Sequence, residues 1–252
     1  EVVWYDKSPS AGSLDVRQLG DGDLFLQEDA PSNCFEEINL LGETVNLWNA
    51  PAQYPVNIHE GLVTSHGTIM YLSDISEVVS NFPSSDTVSN APLKTATVDD
   101  NPVVEISLTN STLLNAWSPL DLLDPTRVTY LTYQFYVAQG VDNEHANAII
   151  DDTNDNSIIV SLRDQNAVYK FDRATGQLKW ILGPPANWGA NWQPYLLTSV
   201  GTPFDWNYGQ HAPEYTSDGT LLLYNDNNDQ ASPFDTYVPD QNNYSSAVEY
   251  NI

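Results

Sequence analysis

Two stretches, His211-Ala212-Pro213-Glu214-Tyr215-Thr216-Ser217-Asp218-Gly219-Thr220-Leu221-Leu222-Leu223 and His59-Glu60-Gly61-Leu62-Val63-Thr64-Ser65-His66-Gly67-Thr68-Ile69-Met70-Tyr71, align without a gap. Leu14-Asp15-Val16-Arg17-Gln18-Leu19-Gly20-Asp21-Gly22-Asp23-Leu24-Phe25-Leu26 aligns with both. Each copy is a short strand, a Gly-containing turn and a second apolar strand, the pattern of a β-hairpin. A fourth copy runs from His145 through Ile158-Ile159-Val160, with a longer turn over 151–156. Self-similarity of this kind, at a spacing of tens of residues, marks a repeat architecture.

A second hairpin follows the first in each copy. Ile38-Asn39-Leu40 leads through Gly42 to Val45 and Trp48, Ile106-Ser107-Leu108 through Asn110 to Leu113 and Trp117, and Tyr169-Lys170-Phe171 through Gly176 to Leu178 and Trp180. Two hairpins make a four-stranded antiparallel unit, the composition of a propeller blade. A β-sandwich with accidental similarity would not give four registers that agree at apolar, turn and Trp positions. Apolar residues alternate, and 16 Pro and 13 Gly interrupt any helical period. The expected fold is therefore all-β: residues 1–252 as one β-propeller domain with four blades visible. The segments 75–101, 118–140 and 184–205 interrupt the repeat and are expected to be loops or additions. Val2-Val3-Trp4 resembles Leu178-Lys179-Trp180, and Ala247-Val248-Glu249-Tyr250 resembles Ala167-Val168-Tyr169-Lys170. Either the first strand completes the last blade, or the chain is a portion of a larger propeller.

Charge narrows the function. There are 34 acidic residues against 8 basic ones, a formal net charge of −26. Nucleic-acid binding needs clustered cations, which this chain lacks, and an anionic membrane surface would repel it. No apolar run approaches the roughly 20 residues of a membrane helix. The sequence opens without Met or a signal-like stretch, so a targeting segment is expected to have been removed or left out. Cys34 stands alone and forms no intrachain disulfide. Acid-rich turns such as Asp151-Asp152-Thr153-Asn154-Asp155 are read as solvated surface; calcium in them is an unsupported option.

Candidate chemistry follows from the repeat. His59 and His211 share one repeat position with Leu14, and His145 occupies nearly the same one, at the start of a blade's first strand. That strand lines the channel of a propeller, so the three are expected to converge. Leu14 shows that the position does not demand His for packing. His66 falls at a turn and is read as a surface residue. Arg163 ends the second strand of its blade, and a planar guanidinium suits tetrahedral oxyanions. Imidazoles with an Arg can bind and transfer a sulfuryl or phosphoryl group, with His as nucleophile. A three-His metal site is the rival; no Glu-x-x-His or Cys pair supports it, and no metal ligand is assigned.

The residues then become familiar. His145-Ala146-Asn147-Ala148-Ile149, Asn156 through Val168, and Gly176-Gln177-Leu178-Lys179-Trp180-Ile181-Leu182-Gly183 resemble the bacterial arylsulfate sulfotransferase family. So do Pro203-Phe204-Asp205-Trp206-Asn207-Tyr208-Gly209-Gln210-His211-Ala212-Pro213 and Ser245 through Tyr250. The resemblance is specific from about His145 onward. It implies a six-bladed propeller, periplasmic or extracellular, that moves a sulfuryl group from a phenolic sulfate donor to a phenol acceptor without the nucleotide sulfate donor or another cofactor. By the same resemblance His211 would be the nucleophile that is transiently sulfated. His59, His145 and Arg163 would bind sulfuryl oxygens and assist proton transfer, and Asn147, Trp206 and Tyr208 would contact substrate. Departures are Asp164, where the family commonly has His, and Gln230 and Ser246, where it often has Arg. The alternative function is a non-catalytic extracellular propeller, a structural or binding module in a homo-oligomer or larger assembly.

Overall fold

The computed structural model describes residues 15–28, 32–134, 136–137, 139–230, 233–234, 236, 238 and 242–252. Leu14 and Val2-Val3-Trp4 lie outside the described residues. The chain is all-β and divides into two compact units.

The first unit comprises 1–75 and 102–116. Its opening sheet runs in sequence order: β1 (Val16–Gln18), β2 (Leu24–Glu28), β3 (Cys34–Ile38) and β4 (Thr44–Asn49). A second sheet joins β5 (Val56–Val63) to β6 (Thr68–Ser73), and β6 to β9 (Val103–Ser107) and β10 (Leu113–Trp117). Both are the two-hairpin units read from the repeat, the second one interrupted between β6 and β9. Phe25 stacks on Phe35 at 5.6 Å, Phe35 meets Tyr71 at 4.9 Å, and Trp48 caps Phe25 at 6.3 Å. Burying each of these rings contributes roughly 2–3 kcal/mol. The Trp48 indole N–H donates to the Leu108 carbonyl at 2.7 Å, so the repeat's terminal aromatic ties one second hairpin to the next.

The second unit comprises 76–101 and 117–252. β13 (Ala146–Asp152), β14 (Ser157–Leu162), β15 (Ala167–Asp172) and β16 (Leu178–Leu182) form an uninterrupted antiparallel sheet. β17 (His211–Tyr215), β18 (Leu221–Asn225) and β19 (Ser246–Tyr250) form a three-stranded one. The interrupting segments build a sheet of their own. There β7 (Ile75–Pro83) pairs with β8 (Leu93–Asp100), and β12 (Gly140–Asp142) lies between β8 and β11 (Tyr136–Val137), parallel to β8. The segment 184–205 is mostly irregular, with one 3-10 turn over Gln193–Tyr195.

The turns explain the repeat's glycines. Gly22, Gly67 and Gly219 all take positive φ (101°, 71° and 79°) at the tip of the first hairpin, a region costly for residues with a Cβ. In the fourth copy Asn156 takes that role, at φ 53°, because Asn tolerates the left-handed region better than most.

Candidate active site

The mouth of the β13–β14 hairpin holds most of the candidate residues. Arg163 N–H donates to the His145 carbonyl at 3.1 Å, and Asp164 N–H to the Glu144 carbonyl at 3.0 Å, so the residues after β14 lie beside those before β13. His145 itself takes φ 50°. A bulky residue in the left-handed region costs of order 1–3 kcal/mol and persists only where its surroundings hold it. Ala146 N–H donates to Asn101 Oδ1 at 2.9 Å, and Asn101 N–H to Glu144 Oε2 at 2.9 Å. Thr129 Oγ also donates to the Asp164 carbonyl.

His145 Nδ1 lies 2.7 Å from Asp142 Oδ2. The carboxylate accepts, so Nδ1 carries the proton of this hydrogen bond. Burial alone would lower the His145 pKa; the hydrogen bond to Asp142 and the charges of Asp142 and Asp164 outweigh it and raise it. Arg163 NH1 donates to Asp164 Oδ1 at 2.7 Å. Asp164 is fully buried. Burial, then the charge of Asp142, pushes its carboxyl up to about 7, against the opposing pull of His145 and Arg163.

His211 opens β17 in the neighbouring sheet. Its Nδ1 lies 3.0 Å from the Gly209 carbonyl and 3.2 Å from Asp226 Oδ2. Both partners only accept, so again Nδ1 is the protonated nitrogen and Nε2 keeps its lone pair. Burial lowers the His211 pKa; Asp226 opposes this, while the charges of Arg163 and His145 add to it. The residue before it, Gln210, is fully buried. Its Nε2 sits 3.0 Å from each of Ser161 Oγ, the Leu162 carbonyl and the Ala167 carbonyl. Its carbonyl accepts from Asn147 Nδ2 at 2.8 Å. Gln210 thus fastens the start of β17 onto β14 and β15.

His145, Arg163 and His211 therefore share one neighbourhood, close enough for their charges to act on one another. His59 belongs to the other unit, inside the bulge of β5, with Nδ1 2.8 Å from Asn57 Oδ1. Asn147 is committed through Nδ2, while its buried Oδ1 has no hydrogen-bond partner. Tyr208 N–H donates to Asn225 Oδ1 at 2.8 Å. Trp206 packs edge-on against Phe204 at 4.7 Å, and both line a cavity of about 520 Å³ with Leu182, Leu197 and Tyr250. His66 is exposed, as expected for its turn. Three residues escaped the sequence reading: Asp142, Asp226 and Gln210. One signal was available, because Asp226 follows the last residue of β18 much as Arg163 and Asp164 follow β14.

A family model described as Arylsulfotransferase (ASST) matches residues 1–252. The arylsulfate sulfotransferase AssT of Escherichia coli O6:H1 is 26% identical over 261 residues, covering 86% of this chain. AssT of Lelliottia amnigena is 25% identical over the same length and coverage. The chain spans 41% of the length of these curated relatives. Among solved structures, a protein of unknown function from Bacteroides caccae aligns with a TM-score of 0.36 at 9% identity, covering 82% of this chain and 68% of that one.

Proposed function

The chain belongs to the arylsulfotransferase family, and on that footing we propose that it moves a sulfuryl group from a phenolic sulfate ester to a phenol through a sulfated His211. The observation that carries the proposal is the pinned Nδ1 of His211, which leaves Nε2 as a lone-pair donor in the neighbourhood of Arg163 and His145.

In the first half-reaction His211 Nε2 attacks sulfur. The N–S bond forms as the bond from sulfur to the donor oxygen breaks, and the electron pair leaves on the phenolate. The ring acquires positive charge, which the Asp226 carboxylate meets at 3.2 Å. Arg163 holds the sulfuryl oxygens through its guanidinium donors. His145, with Nδ1 tied to Asp142, gives its Nε2 proton to the leaving oxygen. In the second half-reaction neutral His145 takes the proton of the acceptor hydroxyl. That oxygen attacks sulfur, and the N–S electron pair returns to His211. One SO3 group and one proton move, and no nucleotide donor is required. Asn147, Trp206 and Tyr208 are assigned to substrate contact, and His59 to the sulfuryl oxygens, on the sequence resemblance alone. The protein is assigned to the periplasm or exterior on the same ground; among the described residues no helix is long and apolar enough to cross a membrane.

Nitrophenyl sulfate with phenol as acceptor tests the proposal. Nitrophenolate release is expected to depend on phenol, and protein treated with donor alone should gain the mass of one SO3. A His211→Ala variant that keeps full activity would sink the assignment. One observation favours a second reading, a non-catalytic binding or structural module: the buried Asp164 already takes Arg163 NH1 at 2.7 Å, a donor that the transfer would use on the sulfuryl oxygens. Ordered oligomers without sulfate-ester turnover would select it.

A further inference from the structure

The geometry points to a divalent-cation site formed by Asp142, His145 and Asp164. One donor atom from each side chain lies within 4.8 Å of those of the other two. Ligands of a single ion with bonds of about 2.1 Å stand within about 4.2 Å of one another, so a small closure of the three side chains completes the set.

Proximity of acids alone would carry nothing; the leftover oxygens do. Asp142 is 2% exposed and Asp164 is fully buried. Each spends one oxygen on a cationic neighbour, Asp142 Oδ2 on His145 and Asp164 Oδ1 on Arg163. The remaining oxygens, Asp142 Oδ1 and Asp164 Oδ2, are buried and have no hydrogen-bond partner. Buried carboxylate oxygens are normally paired or bound to metal. Two buried carboxylates within 4.8 Å of each other and of an imidazole are satisfied either by a shared proton or by a cation. A cation serves all three groups at once, and the proton serves only two. A bound cation displaces the protons of His145 and Asp164, and Asp142 and Asp164 against Arg163 then leave one net negative charge to meet it. Two carboxylates with one imidazole suit Mn2+ or Zn2+ better than Mg2+ or Ca2+, which prefer oxygen throughout. Asp21, Asp23 and Glu37 form another acidic group, with Asp21 exposed, Asp23 half-buried and Glu37 buried, and serve as an internal control.

The ion takes the place of the proton between His145 Nδ1 and Asp142. One consequence rests on the proposed sulfuryl transfer. An ion on Nδ1 fixes Nε2–H as a donor and removes His145 from the proton cycle, so the loaded protein stalls at acceptor deprotonation.

Chelator-treated full-length chain is titrated with Mn2+, followed by loss of the free-ion paramagnetic resonance signal, and with Zn2+ by calorimetry. One ion per chain is expected, with Mg2+ at least tenfold weaker. Asp164→Asn should weaken binding at least tenfold, and Asp21→Asn should leave it unchanged. Absence of one-equivalent binding, or binding indifferent to Asp164→Asn, overturns the site. The unmodified protein gives a second readout that needs no variant: Mn2+ must broaden the His145 ring resonances and leave those of His66 sharp, and the reverse pattern overturns the site. Stoichiometric binding by a metal-free protein that transfers no sulfuryl group sustains the site and sinks the enzymatic reading. Transfer equally fast with and without the bound ion sinks the stall.

Discussion

His145 and His211 occupy nearly the same repeat position in adjacent sheets, yet their surroundings drive them apart. Both bind through Nδ1. His145 is tied to a buried carboxylate, Asp142 at 2.7 Å, and its pKa rises above the ordinary imidazole value. His211 is tied first to a neutral carbonyl, Gly209, with the half-exposed Asp226 farther off at 3.2 Å, and its pKa falls. Burial lowers both; the partner of Nδ1 decides the outcome. Repetition supplies two imidazoles, and the acids at the strand ends divide them into a proton carrier and a nucleophile. Titratable groups whose environments separate them in this way are how one site holds both roles.

That division is broken most directly at His211. His211→Ala is expected to lower phenol-dependent transfer by about 10^4-fold or more and to abolish the SO3 adduct, as removal of a nucleophile does. His145→Gln is expected to cost about 10^2- to 10^3-fold, the range of a general acid, while the adduct still forms from donor alone. Its defect should shrink with a nitrophenyl donor, whose phenolate leaves without a proton, and grow with an unsubstituted phenyl donor. Equal defects on both donors would mean that His145 carries no proton to the leaving oxygen.

The two histidines also differ in what holds them, and here the sequence was only partly legible. The hairpins, their Gly turns and the capping Trp residues could be read because they obey the period of a strand and the φ demands of a turn. The pairing of 75–101 with β12 could not, because those strands belong to no repeat and pair across more than 40 residues. At the site, the histidines and Arg163 were visible as repeated or rare residues. Asp142 was hidden among 34 acids, and nothing in composition distinguishes the one acid that meets a ring. Gln210 was hidden because its role is to satisfy carbonyls of a different sheet. Gln210→Ala is expected to destabilise the protein by about 3–4 kcal/mol, since it leaves the Leu162 and Ala167 carbonyls buried without their donor. A denaturant titration measures this. A loss under 1 kcal/mol would mean that β17 is held by its sheet rather than by Gln210.

Below His145 lies a cluster that should respond to pH. Asp100 is 1% exposed. Burial pushes its carboxyl up to about 6; the charges of Glu77 and Asp121 add to this, while hydrogen bonds from Ser118 Oγ and the Leu120 amide oppose it. Glu144 hydrogen-bonds to it and feels the charge of Asp99, and burial, then the charges of Glu144 and Asp100, push the Tyr169 phenol up. The folded protein thus holds a proton on Asp100 that the unfolded chain releases near pH 4. The stability this proton gives is complete below pH 4 and is lost as pH rises to about 6, by about 3 kcal/mol at one pKa unit per 1.36 kcal/mol. Asp100→Asn keeps the oxygen that accepts from Ser118 and removes the charge. It is expected to stabilise the protein by about 2–3 kcal/mol at pH 7 and by nothing below pH 4. Melting curves across that range check it; a variant less stable at pH 7 would mean that the carboxylate is compensated in the fold.

The smallest effect tests the backbone. At one position the left-handed residue is His145 itself, φ 50°; at the other it is Ala212, φ 48°, one residue after His211. The β17–β18 register shifts between His211, which pairs with Tyr224, and Glu214, which pairs with Leu222, so the kink at Ala212 falls inside that bulge. Alanine there costs about 1 kcal/mol, and glycine would relieve that but lose a similar amount through the freer unfolded chain. Ala212→Gly is therefore expected to change stability by less than about 0.5 kcal/mol and transfer by less than tenfold. Ala212→Val, β-branched in the same conformation, is expected to lose about 2 kcal/mol. If glycine and valine behaved alike, the kink would not be set by the dihedral of residue 212. The aim of the His211 ring would then rest on Gly209 and Gln210 alone.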